Sequence, residues 1–175
     1  MLKVKIFTLY PDLFPGPLDI GIFKKAKENK IWNLKVINIR DYSKDKHGAV
    51  DDTPFGGGSG MLLRPDILAS ALDENTKKGE KIIYLSPRGK KFDQNTARSL
   101  SKEKNLNLIC GHFEGIDQRL LETRNIEEHS LGDFVLSGGE PASFVFVDAL
   151  VRLLPGVLRN KDSIKEESFE NYLLE

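Results

Sequence analysis

The chain has 175 residues, 39% of them hydrophobic and 30% charged, and its 26 Lys and Arg balance 26 Asp and Glu. That size suits one globular domain with a self-sufficient core, and the zero formal charge removes any whole-molecule electrostatic argument for a nucleic-acid partner. No apolar run approaches a bilayer span and the start, Met1-Leu-Lys-Val-Lys-Ile6, lacks a secretory pattern, so no membrane association and a cytoplasmic location are expected.

Residues 3–9 read as a strand, residues 18–29 as a helix and residues 34–39 as a second strand. Lys24, Lys25, Lys27 and Lys30 in the helical stretch read as an ordinary solvated face. A long polar loop runs to Gly60, and Arg64-Pro65-Asp66 then opens a helix whose apolar set is Ile67, Leu68, Ala71 and Leu72. A strand at 82–85, a helix over about 93–102, a strand at 106–110 and a helix around 117–122 follow. The lone cysteine, Cys110, excludes an internal disulfide; at the end of an apolar run it reads as a buried thiol, and no zinc-type spacing occurs. The βαβα order predicts a mostly parallel sheet with helices on both faces.

The last long helix carries Ala142, Phe144, Val145, Phe146, Val147, Ala149, Leu150, Val151, Leu153 and Leu154, which leaves almost no polar face. Such a helix must be covered all round. A second copy of the chain supplies that cover most easily, so a homodimer packed near this helix is expected; central burial within one chain is the competing account.

Three apolar runs feed glycine-punctuated loops: 82–85 into Ser86-Pro-Arg-Gly89, 106–110 into Gly111-His-Phe-Glu-Gly115, and 134–136 into Ser137-Gly-Gly-Glu140. Each run reads as a buried parallel strand, and loops at the carboxyl ends of such strands converge on ligands. Neither phosphate fingerprint is present: Gly56-Gly-Gly-Ser-Gly60 lacks a following Lys-Ser/Thr, and no loop has the dinucleotide spacing. A ligand with a carboxylate, a cationic centre and an adenine suits glycine backbone and apolar walls, and structural turns are an equal reading.

The segments Tyr84-Leu-Ser-Pro-Arg-Gly89, Cys110-Gly-His-Phe-Glu-Gly-Ile-Asp117 and Ser130-Leu-Gly-Asp-Phe-Val-Leu-Ser-Gly-Gly-Glu140 together resemble the bacterial tRNA (guanine-N1)-methyltransferases of the knotted SPOUT superfamily. Asp51-Asp-Thr-Pro-Phe-Gly-Gly-Gly-Ser-Gly-Met61 and Leu154-Pro-Gly-Val-Leu158 fit the same family in order and spacing. The resemblance implies a SPOUT methyltransferase fold: α/β, mostly parallel, with a C-terminal deep trefoil knot that general topology rules argue against. It implies S-adenosyl-L-methionine held in a bent shape at a dimer interface, and methyl transfer to N1 of the guanosine immediately 3′ of the anticodon in the tRNA stem-loop.

Carried over by position, the resemblance places the cofactor against Tyr84, Leu85, Ser86, Pro87 and Gly89, then Gly111 and Glu114, then Leu131, Gly132, Asp133, Phe134, Val135, Leu136, Gly138, Gly139 and Pro141. Glu114 would sit near the sulfonium, with a solvated loop residue as the plain alternative; Glu140 reads equally as an acid at a helix N-terminus. Arg152 matches the family arginine that would polarise guanine O6, and a cation at a helix C-terminus needs no function. The family's general-base aspartate falls on Glu167, in Glu166-Glu-Ser-Phe169, where the alternative is a solvated helix start capped by Ser163. The longer stem of a glutamate moves the carboxylate, and misplacement by about an ångström costs on the order of a hundredfold in rate. Asp52, Gly56, Gly57, Gly58 and Gly60 would approach the target base, a flexible lid being the alternative; Lys44, Lys46 and His47 would meet phosphates, and no metal ligand is assigned.

The expected organisation is a knotted cofactor-binding catalytic domain over 1–160 and the start of an interdomain hinge over 161–175. The small helical tRNA-gripping domain of the family is not in this sequence, so the chain is expected to dimerise and bind the cofactor but methylate tRNA poorly or not at all. A knotted dimer acting on another RNA, a non-catalytic cofactor binder and a conventional nucleotide-binding module are the alternatives.

Overall fold

Alternation in the first strand decides where the centre lies. In β1 (Leu2–Thr8), Leu2, Val4 and Ile6 are buried against one layer of helices and Phe7 against the other, so the strand carries apolar side chains on both faces and belongs inside a sheet. The computed structural model describes residues 1–53, 57 and 60–158. β1 pairs in parallel with β2 (Trp32–Asn38) and, on its other edge, with β6 (Asn105–Ile109). β5 (Lys81–Lys91) joins β6, and β7 (Glu127–Ser130) closes the sheet, giving the order β2-β1-β6-β5-β7 with every pair parallel. β3 (Asp51–Asp52) and β4 (Leu62–Leu63) form a separate short antiparallel pair.

Helices α1 (Gly21–Glu28), α3 (Gln94–Leu100) and α5 (Glu140–Val151) cover one face, where Ala26, Ala97, Phe146 and Leu150 share a core with Val4, Ile6 and Leu108. Helices α2 (Pro65–Asn75) and α4 (Gln118–Thr123) cover the other, with Leu68, Leu72 and Leu121 in the core around Phe7 and Ile109. Each fully buried Leu, Ile or Phe contributes about 1.5–3 kcal/mol, so both faces are needed to hold the sheet. The mostly parallel sheet with helices on both faces is as the sequence pattern predicts.

Three local expectations change. The helix expected over 18–29 is two pieces, a 3-10 turn at Gly16–Asp19 and then α1, because Ile20 is extended (φ −124°, ψ 153°) and Gly21 takes a left-handed φ of +58°. The strand at 82–85 runs on through Ser86-Pro-Arg-Gly89, and that supposed loop is a bulge: Leu85 and Lys90 both register with His129. Residues 134–136 form no strand, since Phe134, Val135 and Leu136 are 53%, 86% and 42% exposed in a loop; the strand preceding that loop is β7, whose polar Glu-Glu-His-Ser sequence hides it. Of the two accounts of α5, central burial within one chain does not hold, for Val145 is 58% exposed and Pro141 and Asp148 are exposed beside it.

Helix ends follow ordinary rules. Pro65 opens α2, Asp93 caps α3 by accepting the Thr96 amide at 2.8 Å, and Asp117 caps α4 by accepting the Arg119 amide at 2.9 Å.

Candidate functional site

The ends of β5, β6 and β7 and the start of α5 meet at the carboxyl edge of the sheet. Backbone pairing sets the approach: the Cys110 amide donates to Phe7 O at 2.9 Å, and the Gly139 amide donates to Gly111 O at 3.0 Å, docking the start of α5 on the end of β6. Two glycines permit it. A Cβ on Gly139 would lie 2.6 Å from the Cys110 Cα and 2.8 Å from the Gly111 N, and one on Gly111 would lie 2.7 Å from the Tyr84 hydroxyl.

These segments wall a cavity of about 270 Å³. Of the residues expected around a cofactor, Tyr84, Leu85, Ser86, Pro87, Gly111, Glu114, Leu131, Gly132, Phe134, Val135, Leu136, Gly138 and Gly139 line it. Gly89, Asp133 and Pro141 do not. Gly89 instead lets β5 lie against β7, since a Cβ there would sit 2.7 Å from the His129 carbonyl carbon; Asp133 is exposed, and Pro141 is exposed in the first turn of α5. Arg88, His112, Phe113, Gly115, His129, Ser130, Ser137 and Ala142 also line the cavity and were missed. Most lie beside glycines already singled out, so adjacency was the available signal; His129 and Ser130 lie on the strand with no apolar pattern.

The electrostatics of the walls are uneven. Burial, reinforced by the nearby Glu128 charge, pushes the Tyr84 phenol above its ordinary pKa and keeps it neutral. Burial also pushes the Cys110 thiol up, with the neighbouring Glu140 charge adding to it, so this cysteine is an inert core group as expected. Burial pulls His129 below its ordinary value although Glu127 opposes, and its Nδ1 is sealed without a hydrogen-bond partner. Arg88 is at the mouth, its side chain 69% exposed and its guanidinium 3.6 Å from Glu128.

Glu140 is the least expected feature. It opens α5, as an acid at a helix N-terminus was expected to, but it is also 2% exposed, accepts the Thr8 hydroxyl at 2.5 Å and meets His112 Nε2 at 2.9 and 2.8 Å through its two oxygens. One carboxylate thereby ties the ends of β1 and β6 to α5.

Gly60 and Met61, at the end of the loop expected to approach the target base, adjoin this cavity. The Glu114 amide donates to Met61 O at 2.9 Å, the Leu63 amide donates to Gly115 O at 3.1 Å, and a Cβ on Gly60 would strike the Glu114 side chain. Asp52 lies on β3 paired with Leu62, and Gly57 and Gly60 have φ of +87° and +92°. Gly56, Gly58 and Glu167 lie outside the described residues. Arg152 caps the C-terminus of α5, half-buried and away from the cavity lining, its amide donating to Asp148 O at 3.2 Å. Among the described residues no cluster of His, Cys, Asp and Glu could hold a metal ion, and no helix is long and apolar enough to cross a membrane.

A parallel sheet whose strand ends open into a glycine-walled cavity defines the class of α/β proteins, in which small molecules bind at the carboxyl edge of the sheet. Residues 2–175 match the family described as tRNA (Guanine-1)-methyltransferase TrmD. The chain is 67% identical over 175 residues to the tRNA (guanine-N(1)-)-methyltransferase of Pelagibacter ubique (strain HTCC1062), covering 100% of this chain and 77% of that protein. It is 52% identical over 172 residues to the enzyme of the same name from Wolbachia pipientis wMel, covering 97% and 72%, and 51% identical over 173 residues to that of Bartonella tribocorum (strain CIP 105476 / IBS 506), covering 99% and 74%. The chain belongs to the tRNA (guanine-1)-methyltransferase family.

Proposed function

We propose that the chain transfers a methyl group from S-adenosyl-L-methionine to N1 of the guanosine immediately 3′ of a tRNA anticodon. The observation that carries this is the convergence of three glycine-punctuated segments on one cavity in a chain matched to the family over residues 2–175. The residues fit the donor: Gly111 and Gly139 allow backbone to approach where a side chain would collide, while Leu85, Leu131, Phe134 and Leu136 supply apolar wall for a base ring. Glu114 supplies a carboxylate suited to a sulfonium. When bound, S-adenosyl-L-methionine provides the electrophilic methyl.

The chain's own groups do the rest in this reading. The Arg152 guanidinium steadies the charge that develops on guanine O6, and the Glu167 carboxylate takes the N1 proton as that nitrogen attacks. Residues 51–61 hold the target base, and Met61 at the end of that segment accepts the Glu114 amide. The reading includes the knotted SPOUT threading of the C-terminal half, a catalytic domain over residues 1–160, action in the cytoplasm and a homodimer with the site at its interface. The uncovered stripe of α5, with Val145 58% exposed between half-buried Phe144 and Ala149, supports a second copy.

The test is a single-turnover reaction with the chain in excess over an unmodified tRNA transcript, read by nuclease digestion and mass spectrometry. N1-methylguanosine should form at the nucleotide 3′ of the anticodon and vanish when that nucleotide is adenosine. Calorimetry should find binding of S-adenosylhomocysteine but not of ATP or NAD. Methylation at another nucleotide, or ATP binding without S-adenosylhomocysteine binding, would sink the reading.

A further inference from the structure

We propose that His112, oriented by Glu140, is the acceptor for the α-ammonium group of the methyl donor's amino-acid end, an assignment that rests on the cofactor reading above. Four side chains in the cavity wall can bear charge: Arg88, His112, Glu114 and His129. Arg88 is a cation at the mouth, drawn toward Glu128. His129 is held neutral by burial, and its Nδ1 is sealed from the cavity. The acidic end of the cavity is therefore the segment carrying His112 and Glu114, with the Glu140 carboxylate buried behind it.

The geometry fixes how His112 presents itself. Both Glu140 oxygens lie on its Nε2, at 2.9 and 2.8 Å, so this nitrogen carries a proton and donates it to the carboxylate. Glu140 is in turn held by the Thr8 hydroxyl, and the Tyr10 ring packs edge-on against the imidazole at 4.9 Å between centroids. The ring cannot turn without stranding a buried charge. With Nε2–H committed to Glu140, the acceptor the ring can offer is the lone pair of Nδ1, which makes no hydrogen bond among the described residues. An acceptor at this end of the cavity, with the Glu114 carboxylate in the same wall, matches an ammonium and repels a carboxylate. Glu140 is thus a positioning residue and His112 a binding residue.

The experiment is calorimetric titration of the full chain and its variants with three probes. These are S-adenosylhomocysteine, its analogue lacking only the α-amino group, and 5′-methylthioadenosine, which lacks the whole amino-acid end. The unaltered chain should prefer S-adenosylhomocysteine to the des-amino analogue by on the order of ten- to a hundredfold, as befits one hydrogen bond to a charged group. The double variant H112F/E140Q removes Nδ1 without leaving a buried charge unpaired, and should bind both equally while holding 5′-methylthioadenosine as before. E140Q alone should shrink the preference without abolishing it. Parallel weakening of all three probes would mean that the pair merely holds the loops in place, and would overturn the assignment, as would an unchanged preference in the double variant. Failure of the unaltered chain to bind S-adenosylhomocysteine would instead overturn the cofactor reading and this assignment with it.

Discussion

At the scale of single residues, the site depends on two glycines for different reasons. Gly111 faces a side chain, since an added Cβ would lie 2.7 Å from the Tyr84 hydroxyl and 3.0 Å from its Cζ, and a ring can shift at a cost of about 1–3 kcal/mol. Gly139 faces backbone, with Cys110 Cα at 2.6 Å and Gly111 N at 2.8 Å, and backbone held in a sheet cannot step aside. Gly111→Ala should therefore fold with a modest loss of melting temperature and weaken S-adenosylhomocysteine binding by about tenfold or more through displacement of Tyr84. Gly139→Ala should lower the melting temperature further. Differential scanning calorimetry and ligand titration on both variants check this; a Gly139→Ala protein as stable as the parent would contradict the docking of α5 on β6. Both positions stood out in the sequence, because glycine clusters after apolar runs have few explanations. The His112 and Glu140 pair did not, because the partners are 28 residues apart and Thr8 lies 132 residues from Glu140. Nothing local marks an acid that folds inward.

At the scale of elements, legibility followed periodicity. β1, β2, β6 and α2 were readable because their apolar residues recur at the period of the element, and Pro65 marks a start. β7 was not, since an edge strand of Glu127, Glu128, His129 and Ser130 earns its place by backbone pairing with β5. The exposed run 134–136 misled for the converse reason: its apolar side chains face a cavity and solvent instead of a core. Helix α5 lies between these cases. Its sequence demands cover on every side, while its own chain leaves Val145 58% exposed. If a second copy supplies that cover, Val145→Lys should shift the protein from dimer toward monomer in sedimentation equilibrium, the lysine removing apolar contact and placing a charge against its symmetry mate. An unchanged mass would move the interface elsewhere. The cap of α3 offers an independent check of element stability: Asp93→Ala should cost about 1 kcal/mol in urea unfolding by freeing the Thr96 amide.

For the whole molecule, groups of three kinds set the dependence of stability on pH. Burial lowers the His129 pKa below its ordinary value of about 6.5, against a smaller opposing effect of Glu127. As pH falls through about 6.5 the unfolded chain takes up a proton that the native chain refuses, so stability declines until the native pKa is passed. A second decline begins below about pH 4.5. Burial disfavours ionised Glu80, yet hydrogen bonds from Lys5 and Asn107 outweigh it and hold its carboxyl below the usual range, and a hydrogen bond from Arg64 does the same for Asp66. The unfolded chain again protonates first. On the alkaline side the sign reverses: the buried Cys110 thiol ionises in the unfolded chain at about pH 8.5 but not in the native one, so stability falls as pH rises beyond that value. Urea midpoints measured from pH 3 to pH 10 should therefore trace a dome with its crest near pH 7–8 and a shoulder on the acid side. His129→Phe should remove the shoulder, because a ring of similar size fills the same space beside Phe146 without an unpartnered nitrogen. Lys5→Met should shallow the acid limb by returning Glu80 toward its ordinary pKa, and Cys110→Ala should flatten the alkaline limb at some cost in packing. Persistence of the shoulder in His129→Phe would place the charge sensed between pH 5 and 7 on another group and remove His129 from this account.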